Sequence, residues 1–362
     1  MSTLSAKRVF LTKPKTIEIQ DIELEPIDKK SVVVKTKFSG ISHGTELALY
    51  RGTAPQLARP FDKELRLFPA IKDRAIPEVL NRGLGYENVG EVIEVGSEVR
   101  NFKPGDLLWC WAPHITHYVF EEGKEGAGWP PPLGNYSAML PAGVSPEEGI
   151  FTALSEIALT GVHDANIKVG DDVAVFGAGV IGLLITQFAL LSGARKVFVS
   201  EPIESRRMMA QSYGAIVLDP TVTDVSIAIR ELTQKRGADI SIETSGNQRA
   251  LHEAIRCTGL GGQVVTLGFY QGGAPNVFFG EEWHHNRITM KSSMSAWLCP
   301  SRFYPQWDIK RSFETVLELI ECKKLNVANM ITHRIPFEQA ADAYRKIDEH
   351  PEEIIKIVLV YL

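Results

Sequence analysis

The run Gly177-Ala178-Gly179-Val180-Ile181-Gly182 carries the sharpest chemical signal in the sequence, lying between the apolar stretches "DVAVF" and "LLITQFALL". In a strand-to-helix turn, glycine at 177 permits the tight reversal. Glycine at 179 lets backbone approach a pyrophosphate, and glycine at 182 lets the helix pack on the strand. The helix start adds free N–H groups and the positive end of its dipole. The next apolar run, "KVFVSE", ends on Glu201, where a carboxylate accepts from ribose hydroxyls and repels a 2′-phosphate. NAD is therefore expected, and NADP stays open because Arg206 and Arg207 follow closely. The candidate cofactor-binding residues are Gly177, Gly179, Val180, Ile181, Gly182, Glu201 and Arg206, with Thr244, Ser245, Leu267, Gly268 and Phe269 at later strand ends.

Those glycines need a parallel sheet to hold them. Short apolar runs, "DVAVFGAG", "KVFVSEP", "AIVLDP", "ADISIETSG" and "GQVVTLGF", alternate with amphipathic segments, the pattern of βαβ units. Before them, "SPEEGIFTALSEIALTGVHDANI" opens with a helix start signal and continues with helical spacing. The N-terminal part differs. "SVVVKTKFSGIS", "NVGEVIEVGSEV" and "FKPGDLLWCW" are β-branched runs bounded by turn residues, which suggests a compact β domain. Between Arg51 and Gly83, Pro55, Pro60, Pro69 and Pro77 exclude a long helix and mark an excursion able to cover a cleft. In the tail, "TVLELIECKKLN" and "HRIPFEQAADAYRKID" read as two helices, and "IIKIVLVYL" as a last strand returning to the first domain.

A chain of 362 residues exceeds what one core usually serves, so two domains are expected. With 44% hydrophobic and 23% charged residues and a net charge of −5, the composition is that of an ordinary globular protein. It lacks the basic footprint of a nucleic-acid or anionic-membrane binder. A small-molecule ligand is the expected partner. The N-terminus has no signal-like apolar core, and no run of about 20 apolar residues occurs, so a cytoplasmic location is expected. Cys110, Cys257, Cys299 and Cys322 are scattered without a CxxC pair. That excludes a thiolate zinc knuckle, and the thiols are expected to be free and buried.

Taken together, these residues resemble the medium-chain dehydrogenase/reductase superfamily, especially its alcohol and polyol dehydrogenase branch; bacteriochlorophyllide dehydrogenases are similar too. "GISHGTEL" is similar to the Gly-Ile-Cys-Gly-Ser-Asp element, and "LGYENVGEVIEVGSEVRNFKPGDLL" to the Gly-His-Glu-x-x-Gly run with its Pro-Gly-Asp turn. "NYSAML", "LSEIALTGVHDANIKVGDDVAVFGAGVIG" and "ITHRIPFEQAADAYR" extend the likeness over nearly the whole chain. The resemblance implies an α/β protein: a Rossmann dinucleotide-binding domain (151–296) inserted in a GroES-like catalytic domain (1–150 and 297–362), with the active site in the cleft between them. It also implies a homodimer or homotetramer, joined near Val264–Gly268 and the following "NVFFG".

The departures fall at the metal site. Where the resembling enzymes keep the zinc-binding His, this chain has Tyr86; where they keep the Cys, it has Ser42 or, with one inserted residue, His43. Catalytic zinc wants three good ligands and an open position, so no metal is expected. The set His43, Glu87 and Glu156 remains an alternative, Glu156 matching a metal-site Glu of polyol dehydrogenases. His114, His117, His284 and His285 lack helical His-x-x-x-His spacing and are expected in surface or packing roles.

Without zinc, hydrogen-bond donors must stabilise the developing alkoxide. A phenol or an imidazole can supply the proton. The catalytic candidates are therefore Tyr86 and His43, with Thr45 matching the proton-relay Ser/Thr, and Glu87. Trp109 and Trp111, two apart, share a strand face and are candidates for a pocket wall or for the core. The expected reaction is NAD(P)-dependent interconversion of a secondary alcohol and a ketone. The alternatives are reduction of activated C=C bonds and non-enzymatic dinucleotide binding.

Overall fold

The computed structural model describes residues 4–62, 64–69, 77–123, 136–294 and 307–362. Cys299, the junction expected at 296/297 and part of the proline-rich excursion lie outside the described residues. The chain divides into two compact units, Met1–Ala153 with Phe313–Leu362, and Leu154–Ser312.

In the unit Leu154–Ser312, the alternating apolar runs form a parallel sheet. Its order is Ile216–Leu218, Lys196–Ser200, Asp172–Phe176, Ala238–Glu243, Thr258–Thr266, Thr289–Ser292. Parallel neighbours need crossovers, supplied by helices such as Val180–Leu191, Glu204–Ser212 and Gln248–Cys257. Asp172–Phe176 is buried at every position, as a strand covered on both faces should be. Phe176, Phe198, Ile229, Leu251 and Val264 pack into one of its cores. The strand order reverses at Asp172–Phe176, and ligands of such sheets bind beyond the carboxyl ends at that reversal. The glycine turn begins there.

The stretch around Val264–Gly268, expected between copies, starts in an inner strand: Gln263–Thr266 pairs with Ile240–Glu243 on one side and Thr289–Ser292 on the other. "TMKS" adds the outer strand, too short and too polar to register as one in the sequence.

In the other unit, Ser31–Gly40 is the central strand, pairing antiparallel with Asn88–Val95, His117–Glu121 and Lys356–Val360. Leu107–Cys110 and Ser137–Met139 extend one side, and Ile331–Pro336 runs parallel to Lys356–Val360 on the other. Ser5–Lys13, Thr16–Glu23 and Arg82–Gly83 make a separate antiparallel sheet. The tail differs from expectation in one respect: "HRIP" is strand, and the helix begins only at Ala340. Pro336 lacks an N–H but stands at the strand's end, where none is needed. Ser145 and Glu148 form a reciprocal capping box, as the Ser-Pro-Glu-Glu signal required. Cys110 and Cys257 are buried as expected, whereas Cys322, at a helix end, is exposed.

Candidate active site

Gly177 has φ +93°, a conformation L side chains rarely adopt, and its N–H donates to the Ser200 carbonyl at 2.9 Å. A Cβ on Gly182 would lie 1.9 Å from the Gly177 carbonyl oxygen, so only glycine lets the helix start pack under the turn. Gly179 is the N-cap of helix Val180–Leu191, and a Cβ there would meet nothing within 4 Å. Open space before the free N–H groups of Val180 and Ile181 is what a pyrophosphate requires.

Glu201 is buried, its carboxylate accepting from the Ala178 N–H at 2.7 Å and the Ile203 N–H at 3.0 Å. It thereby ties the glycine turn to the end of the next strand. Arg207 is committed, donating to the Glu201 carbonyl at 2.8 Å and pairing with Asp219 at 2.9 Å. Arg206 lies half-buried on the same helix.

The remaining cofactor candidates come together on one rim. Thr244 Oγ1 donates to the Phe176 carbonyl at 2.9 Å, and the N–H groups of Leu267 and Gly268 donate to the Glu243 carbonyl at 2.8 and 3.1 Å. Glu243, which the sequence reading missed, anchors that rim. Its fully buried carboxylate accepts from the Ser245 N–H and hydroxyl, the Gly246 N–H and the Tyr270 hydroxyl. Burial raises its pKa against those hydrogen bonds. Gly268 must be glycine because a Cβ would sit 2.3 Å from Gly246 N. Phe269 is exposed.

In the unit Met1–Ala153 with Phe313–Leu362, the Tyr86 hydroxyl donates to Ser42 Oγ at 2.6 Å. The Tyr86 ring stacks on Trp111, centroids 4.7 Å apart. Trp109, fully buried against Phe313, belongs to the core instead. Burial, then the Glu87 charge, holds the phenol well above its ordinary pKa, against Ser42 and Thr45. Tyr86 is thus a neutral donor. Thr45 is exposed and His43 half-buried.

Glu87 is 0% exposed, and its Oε2 lies 2.6 Å from Lys356 Nζ, also fully buried. Lys356 donates as well to the Ile41 carbonyl at 2.9 Å. Glu87 is thus enclosed with Lys356 rather than exposed beside Tyr86. Burial pushes its carboxyl up to about 7 against the pull of Lys356.

Glu46 and His114 were not read as site residues. Glu46 accepts from the Ser42 N–H at 2.8 Å, from His114 Nε2 at 3.1 Å and from the Tyr344 hydroxyl. An acid inside the otherwise apolar helix "TELALY" was the available signal.

Tyr86 and Ser42 do not fit a catalytic zinc. Tyr86 stands at the position of its His and Ser42 or His43 at that of its Cys; Tyr86 and Ser42 are neutral hydroxyls bonded to each other, whereas zinc prefers thiolate, imidazole and carboxylate. Glu156 lies in the other unit, buried and accepting from the Thr160 hydroxyl at 2.9 Å. Among the described residues, the one group of three His, Cys, Asp or Glu with ligand atoms within 4.8 Å of one another is His350, Glu352 and Glu353, all exposed.

A Rossmann sheet with an open glycine cradle, inserted between the two parts of a β-rich unit bearing buried hydroxyls, defines a two-domain dinucleotide-dependent oxidoreductase. Comparison with known proteins agrees. A zinc-binding dehydrogenase profile matches residues 180–311. D-guloside 3-dehydrogenase of Escherichia coli is 32% identical over 98% of this chain and all of its own. (R,R)-butanediol dehydrogenase of Bacillus subtilis is 31% identical over 76% of this chain and 79% of its own. The crystal structure of 2R,3R-butanediol dehydrogenase from Bacillus subtilis superposes with a TM-score of 0.76 at 24% identity, covering 98% of this chain and 99% of that one. The chain belongs to the medium-chain dehydrogenase/reductase family, within its zinc-type alcohol dehydrogenase branch, and is an NAD(P)-dependent dehydrogenase. Among the described residues no helix is long and apolar enough to cross a membrane.

Proposed function

We propose that this enzyme interconverts a secondary alcohol and a ketone on a polyol or sugar derivative, with NAD preferred and without catalytic zinc. The observation that carries this reading is the 2.6 Å bond from Tyr86 to Ser42, Tyr86 standing where the resembling zinc enzymes keep His, and Ser42 or the adjacent His43 where they keep Cys. Bound dinucleotide supplies or takes the hydride. In the reducing direction, Tyr86 gives its proton to the carbonyl oxygen as charge develops there. An alkoxide is more basic than a phenolate, so even a phenol of raised pKa transfers its proton downhill. Thr45, exposed and among the groups that lower the pKa of the same phenol, returns a proton from solvent, and His43 is a second carrier beside Ser42. Oxidation runs the same path backwards.

Glu87 acts through position. Lys356 joins it to the Ile41 carbonyl, so one ammonium pins the neighbours of Tyr86 and Ser42 together. Glu201 at the glycine turn, with Arg207 held by Asp219, supports NAD over NADP. The relatives named for a D-guloside and for (R,R)-butanediol support the substrate class.

The test follows near-ultraviolet absorbance of the reduced nicotinamide, with NAD and NADP, against panels of alcohols, polyols, sugar derivatives and enones, with and without a chelator. Chelator-resistant turnover of alcohols or polyols is expected. Activity on enones alone, or chelator inactivation reversed by zinc, overturns the reading.

A further inference from the structure

We infer that Glu46 and His114 are positioning residues for the Tyr86 proton donor, an inference that rests on the reading of Tyr86 just given. Glu46 lies on the short helix Thr45–Tyr50 and is 2% exposed; His114 is 0% exposed. Two ionisable side chains buried so completely are held only by their partners. The carboxylate divides its work. Oε1 takes the Ser42 N–H at 2.8 Å, fixing the backbone of the residue that accepts the Tyr86 proton bond. Oε2 takes His114 Nε2 at 3.1 Å and the Tyr344 hydroxyl. His114 is held from behind, Nδ1 lying 2.7 Å from Ser39 Oγ, which in turn lies 2.8 Å from the Tyr361 hydroxyl.

One carboxylate therefore joins the strand end at Ser39–Ser42, the helix bearing Thr45, the segment of His114 and the helix of Tyr344. Ser42, the hydrogen-bond partner of Tyr86, accepts at its carbonyl from the Glu46 N–H at 3.2 Å, and Thr45 precedes Glu46 in the chain, so both move with it. The link from Glu46 to Ser42 is a backbone amide, which does not pass protons on. This arrangement is a frame that sets the Tyr86–Ser42 distance, while proton exchange with solvent runs through Thr45.

The test uses the full-length enzyme labelled with 3-fluorotyrosine, the Tyr86 fluorine resonance being assigned by its loss in Tyr86→Phe. Glu46→Gln turns an NH2 group toward donors, and Ser39→Ala frees His114 Nδ1. Both variants should move or broaden the Tyr86 resonance and leave dinucleotide affinity unchanged. On the alcohol turned over fastest, kcat should fall about ten-fold or more with misplacement of the donor. In a Tyr86→Phe background the same changes should alter kcat by less than about two-fold, since effects through a shared contact are not additive. A Tyr86 resonance unmoved in both variants, or equal kcat losses in both backgrounds, overturns the inference. Should Glu46→Gln fail to fold, Ser39→Ala decides by the resonance. Full kcat in Tyr86→Phe itself would sink the reading of Tyr86, while the resonance still decides whether Glu46 positions it.

Discussion

Lys356 Nζ lies 2.6 Å from Glu87 Oε2 and 2.9 Å from the Ile41 carbonyl oxygen, with both side chains fully enclosed. Gly40 makes room for this junction, since a Cβ there would sit 2.7 Å from Glu87 Oε2 and from Lys356 Cε. The pair closes the gap between the strand end that carries Ser42 and the segment that carries Tyr86.

A pH dependence follows from that enclosure. Burial pushes the Glu87 carboxyl from 4.5 up to about 7, so between those values the folded protein holds a proton the unfolded chain has released. This group's contribution to stability is fully present below the unfolded value and is lost as pH rises through about 7. Glu87→Gln removes that linkage and keeps an acceptor for Lys356. Urea unfolding across roughly pH 5 to 8 should show a flatter pH dependence in the variant than in wild type. Parallel profiles would contradict the assignment.

Lys356 also shows where sequence reasoning stops. A single lysine in the strand "KIVLV" announces a buried partner, yet nothing local says that the partner is Glu87, some 269 positions earlier. The glycine turn was legible because its demands are local: a positive φ at Gly177 and a close approach at Gly182 are met within one turn of chain. His114 was assigned to surface or packing because its partners Ser39 and Glu46 lie 75 and 68 residues away. The family resemblance sets Tyr86 near Ser42 or His43, and the structure bonds it to Ser42; periodicity alone contains no such information.

The glycine cradle predicts a contrast between two alanine variants. Gly182→Ala forces a Cβ against the Gly177 carbonyl oxygen at 1.9 Å, so the unfolding midpoint should drop by an amount corresponding to about 1–3 kcal/mol of overpacking. Gly179→Ala adds a methyl into open space. Its stability should stay within about 0.5 kcal/mol of wild type, and dinucleotide affinity should fall about ten-fold or more as the methyl enters the pyrophosphate's place. Thermal unfolding and fluorescence titration with NAD separate the two; equal affinity in Gly179→Ala would place the phosphates elsewhere.

Glu201 predicts a change in cofactor preference. Removing its carboxylate, as in Glu201→Ala, leaves the Ala178 and Ile203 N–H groups without their acceptor, which costs about 1–3 kcal/mol of stability. The ratio of kcat/KM for NAD to that for NADP should fall by about ten-fold, as repulsion of a 2′-phosphate disappears. An unchanged ratio would assign discrimination to other residues, with Arg206 the first to examine.

The most direct test of the central claim, that paired hydroxyls handle the proton where zinc serves in related enzymes, is kcat of Tyr86→Phe relative to wild type, both measured in the presence of a chelator. The account predicts that wild type keeps its turnover and that the variant loses about 10²–10⁴-fold, the usual worth of a positioned general acid. Equal turnover in the two proteins would contradict it.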